Sequence, residues 1–338
     1  MKKFRLNAAG VMMLAMLLGG YNTTASAQNF DLNGDGSVDV ADVSALISHM
    51  AGKQSSTFAF RKQTDAKKLS ESGSAVDLGL PSGRKWANKN VGYSQDADYG
   101  TYFAWGGRTW VAAKGKNYVI EAGTMLEDKK TSFTWKNYEW ISEGGTTWRD
   151  VCKYTVQDGV EDAWWYGYGA DGAVFCGDDK EVLDSDDDAA TFHWGGKWRL
   201  PYTHEFEELL EYTDQVWDTD KKELQSGKTA KDAKGIWGCW FIGKNPGRDG
   251  KDWSKAEIFL PAAGSVEYQY VEYRDGQYMF PRGKYWAKEQ DGHAGHQPTS
   301  SATILSINRK PCCENEADAY ISAYERQYGL SVRPVQGD

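Results

Sequence analysis

The chain has 338 residues, with 39 Lys and Arg against 48 Asp and Glu, a formal charge of −9. An acidic surface repels phosphate backbones and anionic lipid, which argues against nucleic acid as a partner and leaves neutral ligands, cations or basic proteins. With 15 Trp, 19 Tyr and 37 Gly, the composition is that of a β-rich, loop-rich chain with few long helices, and the length suits one large domain or two modest ones.

The first residues read as an export signal. Lys2, Lys3 and Arg5 form a short basic segment, Ala8 to Leu18 is apolar and uncharged, and Ala25-Ser26-Ala27 puts small residues where a signal peptidase cuts. This predicts a signal peptide over 1–27 and a mature chain that starts at Gln28. The apolar run is shorter than the roughly 20 residues a spanning helix needs. Cleavage removes three of the 39 basic residues and leaves 36 against 48, a balance of −12. No cysteine precedes Ala27, so lipidation is not expected, and no later stretch reads as a membrane span. The expected destination is the periplasm, the cell surface or the medium.

The sharpest motif follows at once, within a segment of 28–53. Asp31, Asn33, Asp35, Asp39 and Asp42 place side-chain oxygens at loop positions 1, 3, 5, 9 and 12, Gly36 stands at position 6, and Ser37 at position 7 offers its backbone carbonyl. That is the spacing with which an EF-hand loop wraps Ca²⁺ in six or seven oxygens. Hard oxygen ligands without sulfur or imidazole favour Ca²⁺ over a transition metal. Val43, Leu46, Ile47 and Met50 then share one face of a helix that leaves the loop, and Gly52 is placed to end it. The stretch resembles one repeat of a dockerin, the module that joins secreted proteins to cohesin-bearing scaffolds. Asp42 matches that family's last ligand, where an ordinary EF-hand has Glu. Dockerins carry two repeats and this chain shows one, and positions 10 and 11 hold Val40 and Ala41 in place of a hydroxyl pair. The resemblance implies Ca²⁺ binding and names a cohesin-type protein as a candidate partner.

Residues 54–74 are polar, lack sustained periodicity and read as a linker. From Ala75 the texture changes to short apolar runs between turn signals. Val76 to Ala87 alternates around Pro81-Ser-Gly83, which predicts a hairpin. Tyr99 to Gly106 reads as a strand that ends at glycine. Thr203 is expected to cap a helix whose Phe206, Leu209 and Leu210 share a face, with Glu205, Glu207 and Glu208 near its positive end. Trp237–Ile242, Ile258–Gly264, Tyr285-Trp286, Ala302–Ile307 and Gly329–Val335 read as further short strands.

This series resembles the Fibrobacter succinogenes major paralogous domain, a family widespread in gut Bacteroidetes. The matching residues run in order over 75–338: Val76-Asp-Leu-Gly-Leu-Pro-Ser-Gly with Lys85-Trp86-Ala, Tyr99-Gly-x-Tyr-Phe-Ala-Trp-Gly106, Asp187-Asp188-Ala-Ala, Trp194-Gly-Gly-x-Trp198-Arg-x-Pro201, Phe259-Leu-Pro-Ala-Ala-Gly264, and Gly329-Leu-Ser-Val-Arg-Pro-Val335. Where the family has Tyr-Trp-Ser-Ser, this chain has Tyr285-Trp-Ala-Lys288. Through its Trp-Arg-x-Pro segment the family is similar to C-type-lectin-like folds. The resemblance implies an α+β domain, a C-type-lectin-like antiparallel core with one or two helices and long loops, in which most of the motif tryptophans are core.

No catalytic arrangement stands out. Histidine is scarce, and His293-Ala-Gly-His296 has no glutamate to complete a zinc motif. Cys152, Cys176, Cys239, Cys312 and Cys313 are an odd set at irregular spacing, which is no disulfide framework and leaves room for one bridge. The run Asp184-x-Asp186-Asp187-Asp188 is either a second Ca²⁺ cluster or a solvated acidic loop. Aromatic residues offer the route to a ligand, because sugars stack their C–H faces on Trp and Tyr. Trp164, Trp165, Tyr166 and Tyr168 are the first choice, since consecutive aromatics cannot all point into one face of a strand. Trp140 is a further candidate from the loops. The sequence therefore reads as an exported, non-catalytic binding protein for a glycan or a surface protein. The alternatives are a component of polysaccharide breakdown and a structural or adhesive surface protein.

Overall fold

The computed structural model describes residues 68–69, 72–93, 99–108, 111–114, 119–122, 133–141, 145–155, 178, 180–216, 236–267, 270–272, 282–291, 300–308 and 319–337. The chain divides between Lys62 and Gln63, and every described residue belongs to the second unit. The signal segment and the EF-hand-like loop lie outside the described residues. Among the described residues no helix is long and apolar enough to cross a membrane.

The first reversal is the one that Pro81-Ser-Gly83 predicts. β1 (Ala75–Asp77) and β2 (Lys85–Ala87) pair antiparallel with Val76 opposite Trp86. The Gly83 amide donates to Leu80 O at 2.9 Å, and Gly83 sits at φ 72°, a left-handed conformation that other residues resist. β3 (Thr101–Tyr102), β4 (Val111–Lys114) and β5 (Val119–Ala122) form a second antiparallel sheet. Then come α1 (Ala189–Trp194), β6 (Trp198–Arg199) and α2 (Thr203–Tyr212). β7 (Thr213–Val216), β8 (Gly238–Gly243) and β9 (Glu257–Pro261) make an antiparallel meander, and β10 (Ser265–Glu267) pairs with β11 (Tyr270–Glu272). β12 (Arg282–Gln290), β13 (Ser301–Asn308) and β14 (Ala319–Glu325) form the longest sheet. Finally β15 (Val335–Gln336) enters the first sheet between β2 and β6, giving the order β1-β2-β15-β6. All these strand pairs are antiparallel, and α1 and α2 are the two α-helices among the described residues. The fold is an antiparallel β-rich arrangement compatible with the α+β class.

Alternation sets the core. Leu305 and Ile307 of β13 and Tyr285 and Ala287 of β12 point one way, towards Phe206 and Leu209 of α2. Cys239 and Phe241 of β8, Ile258 and Leu260 of β9, and Trp86 close the same cluster. Burial of Phe206 and Leu209 stabilises by roughly 2–3 kcal/mol each. The other face of β12 carries Trp286, whose indole N–H donates to Phe103 O at 2.8 Å, while the Trp105 indole donates to Ala287 O at 2.9 Å. Trp86, Trp105 and Trp286 are all fully buried, as the motif reading expects.

Two expectations need adjusting. Thr203 is the first residue of α2 and Tyr202 is its N-cap. The oxygens that satisfy the helix start come from Glu205, which accepts the Tyr202 amide at 2.8 Å, and from Glu289 of β12, which accepts the Thr203 amide at 2.6 Å. Residues 68–69 and 72–74, assigned to the linker on composition, make contacts in the domain. Ser74 and Asn88 exchange backbone and side-chain bonds of 2.9 and 3.0 Å, and the Leu69 amide reaches the His193 ring.

Candidate binding site

Of the residues singled out in the sequence, Asp31, Asn33, Asp35, Ser37, Asp39, Asp42, Trp164, Trp165, Tyr166 and Tyr168 lie outside the described residues. Trp140 is described, and it is not a stacking platform. It is 6% exposed, its ring meets Tyr154 edge-on, and Lys153 Nζ lies 4.5 Å above its centroid. A methyl placed on Gly106 would come within 2.7 Å of its indole nitrogen. A sugar needs an open ring face, and this ring is walled in.

Trp140 nevertheless marks a place where distant segments converge. Residues 138–141 and 151–155 are joined by an Ile141–Val151 bridge and by the Cys152 amide, which donates to Trp140 O at 2.9 Å. Lys153 Nζ also reaches Asp187 Oδ2 at 2.7 Å, and the Tyr154 hydroxyl donates to the same oxygen in a short hydrogen bond. The Tyr154 oxygen in turn accepts the Asp184 amide at 3.0 Å. Burial, and then the Asp187 charge, push the Tyr154 hydroxyl far above the ordinary tyrosine range, so it stays a donor.

Three of the four carboxylates in 184–188, those of Asp184, Asp187 and Asp188, face cations of the chain itself. Asp184 faces Lys180 at 2.7 Å, Asp187 faces Lys153, and Asp188 has Lys288 Nζ at 3.9 Å. Asp188 also caps α1 by accepting the Thr191 amide at 3.0 Å and fastens β6 by accepting the Leu200 amide at 2.8 Å. Its burial raises its carboxyl above the usual range, against the pull of those amides and Lys288. Among the described residues no three His, Cys, Asp or Glu side chains are grouped to hold a metal ion. The second-Ca²⁺ reading of 184–188 thus has cations of the chain itself in the places an ion would take.

Beneath this cluster Arg326 holds the floor. Its guanidinium is fully buried and donates from Nε to Tyr138 Oη at 3.1 Å, and from its two terminal nitrogens to Tyr154 O at 3.0 Å and Lys153 O at 2.9 Å. It also lies 4.5 Å over the Trp105 ring, a cation–π contact. Burial pushes the Tyr138 hydroxyl up to about 12, with Arg326 acting in the opposite sense. The Arg326 amide donates to Ser300 O at 2.8 Å, so segment 151–155 is bolted to the ends of β13 and β14.

The same floor pins both ends of the segment that carries the aromatic cluster. The Thr155 amide donates to Asp178 Oδ1 at 3.2 Å, and Lys180 binds the same oxygen at 3.3 Å. Glu181 O then accepts the Gln290 amide at 2.9 Å, and Leu183 donates to Lys288 O at 3.0 Å. Thr155 and Lys180, which flank 156–177 in the sequence, therefore meet at one carboxylate. Lys153, Tyr154, Asp178 and Arg326 were not legible as site-building residues, because each acts through partners far away in sequence. Cys152 and Cys239 are buried thiols, and the other cysteines lie outside the described residues.

Comparison of the chain with protein-family models, with curated proteins and with solved structures returns no match.

Proposed function

We propose that this is an exported, non-catalytic binding protein that presents the aromatic segment 156–177 to a neutral glycan. The observation that carries the reading is the closed base of that segment, where Asp178 joins the Thr155 and Lys180 amides above the Arg326 floor. A loop with clamped ends loses less freedom on binding than an open one, so stacking energy goes into affinity. Trp164, Trp165, Tyr166 and Tyr168 supply the ring faces in this reading. Trp140 supports the base and does not touch the ligand.

The family reading belongs to the same proposal. The motif series from Val76 to Val335 favours membership of the Fibrobacter succinogenes major paralogous family with a C-type-lectin-like fold. An antiparallel β-rich arrangement, with two α-helices and buried motif tryptophans among the described residues, agrees with it. In this proposal the signal peptide delivers the chain out of the cytoplasm, and the dockerin-like loop at Asp31–Asp42 binds Ca²⁺ as a stabilising unit or a docking element for a cohesin-type protein.

The test is retention of the mature protein by immobilised neutral polysaccharides and a glycan array. Binding should fall by roughly tenfold or more in Trp164→Ala and Trp165→Ala, the equivalent of about 1.4 kcal/mol for a lost stacking contact. No glycan retained, or affinity unchanged in both variants, sinks the glycan reading. Release of reducing sugar from any polysaccharide in the same assay overturns the non-catalytic part.

A further inference from the structure

The segment that enters the domain is held by one imidazole. His193 of α1 is buried, with 4% of its surface exposed. Its Nε2 lies 2.8 Å from Arg108 O, a carbonyl that can only accept, so this nitrogen carries the proton. Its Nδ1 then has a free lone pair, and the Leu69 amide donates to it at 3.3 Å. The contact is reinforced on either side. Lys68 Nζ lies 5.2 Å from the centroid of Phe192, Arg108 lies 4.7 Å from the same ring, and the rings of Phe103 and Phe192 flank the imidazole at 5.3 and 5.0 Å.

We propose that His193 is an acid-released clasp: as a neutral ring it holds the Leu69 amide and seats the segment before β1, and a proton taken from solvent onto Nδ1 lets that segment go. Once Nδ1 is protonated it meets the Leu69 N–H donor to donor, and the bond has no acceptor left. The charges that act on the ring are Lys68 from the clasped segment and Arg108 from the segment after β3, both positive, so both oppose protonation while the clasp is shut. Burial is the largest cause, the Arg108 carbonyl works against it, and the net result holds the ring down at about 4. When the segment lifts, Nδ1 meets water and returns towards its ordinary value of 6.5.

The sign follows from those two values. Above pH 6.5 neither state takes the proton and the clasp has its full strength. As pH falls below 6.5 the open state takes the proton more readily than the shut one, so opening becomes more favourable by up to tenfold per pH unit. Below about 4 the effect saturates. Opening would free the chain up to Ser74, which Asn88 still holds.

Hydrogen exchange of the full mature chain tests this between pH 7 and pH 4. The reference amide is Val91, which is buried and donates to a backbone carbonyl, Val332 O, at 3.0 Å. The protection of Leu69 relative to Val91, each corrected for intrinsic exchange, should drop by up to about tenfold per pH unit below 6.5. His193→Phe should abolish that slope. A flat Leu69-to-Val91 ratio in the wild-type protein overturns the proposal. Should His193→Phe fail to fold, Leu69→Pro removes the donor and keeps the ring. Imidazole ¹⁵N shifts should then show His193 titrating nearer 6.5, and an unchanged titration also overturns the proposal.

Discussion

Replacing Arg326 tests whether the guanidinium fork is what bolts segment 151–155 to the sheet. Arg326→Met keeps most of the stem volume and removes the fork. Three acceptors, Tyr138 Oη, Tyr154 O and Lys153 O, lose their donor in a site with no water access to the arginine. Hydrogen bonds to a charged group contribute about 1.5–3 kcal/mol each, and apolar replacement recovers part of this, so the expected loss is on the order of 4 kcal/mol. The cation–π contact with Trp105 goes as well, at about 1 kcal/mol. In a unit of this size each kcal/mol moves the melting temperature by roughly 2–4 °C, so the combined loss of about 5 kcal/mol should lower Tm by about 10–20 °C. Arg326→Lys should recover less than half, because a point charge cannot serve three acceptors that a planar fork reaches together. Calorimetry on the mature chain measures this, with near-UV circular dichroism following the Trp105 and Trp140 environment. A Met variant that melts within about 3 °C of wild type, with an unchanged aromatic spectrum, would show that the fork is not the bolt.

Two further outcomes follow from charged groups. Burial by itself would raise the Glu205 carboxyl, but the bidentate Arg199 contact at 2.7 and 2.8 Å, the Tyr202 amide and Arg84 outweigh it and hold the group below its ordinary value of 4.5. A depressed carboxylate stabilises above its ordinary value and loses that effect as pH falls through the folded one, so the Tm gap between wild type and Glu205→Gln should narrow as pH falls through and below about 4.5. A gap that stays constant through that fall refutes the assignment. For the N-terminal loop, Asp31→Ala combined with Asp42→Ala should remove the heat of Ca²⁺ binding. It should also remove any rise in Tm with added Ca²⁺, about 2.7 kcal/mol of stabilisation at a hundredfold excess over Kd for a single site. Calcium binding that survives in the double variant refutes that ligand set.

What was legible in the sequence is what short-range signals encode. Gly83 after Pro81 announced the β1–β2 hairpin because only a left-handed residue closes that turn cheaply. Phe206 and Leu209 announced the buried face of α2 because three- and four-residue spacing is visible in any helix. The cap of α2 was misplaced on Thr203 because its second acceptor, Glu289, lies 86 residues away. Trp140 was misread for the same kind of reason. A tryptophan in a loop looks available until Lys153, Tyr154 and Gly106 are brought against it.

The acidic run shows where this difference matters for function. Asp184, Asp187 and Asp188 are neighbours in sequence, and read alone they resemble a place for Ca²⁺. In the fold they point to three different cations, Lys180, Lys153 and Lys288, and two of the three are also tied to backbone amides or a phenol. An ion entering there would have to displace a bound ammonium group from Asp184 or Asp187, and at Asp188 would break the cap of α1 and the link to β6. The loop at Asp31–Asp42 has no lysine or arginine among its twelve residues, so its charge is unanswered within the motif. Calcium sensitivity of the whole chain should therefore belong to residues 31–42. Asp184→Asn should leave it unchanged, while weakening the link to Lys180 at the base of the aromatic segment.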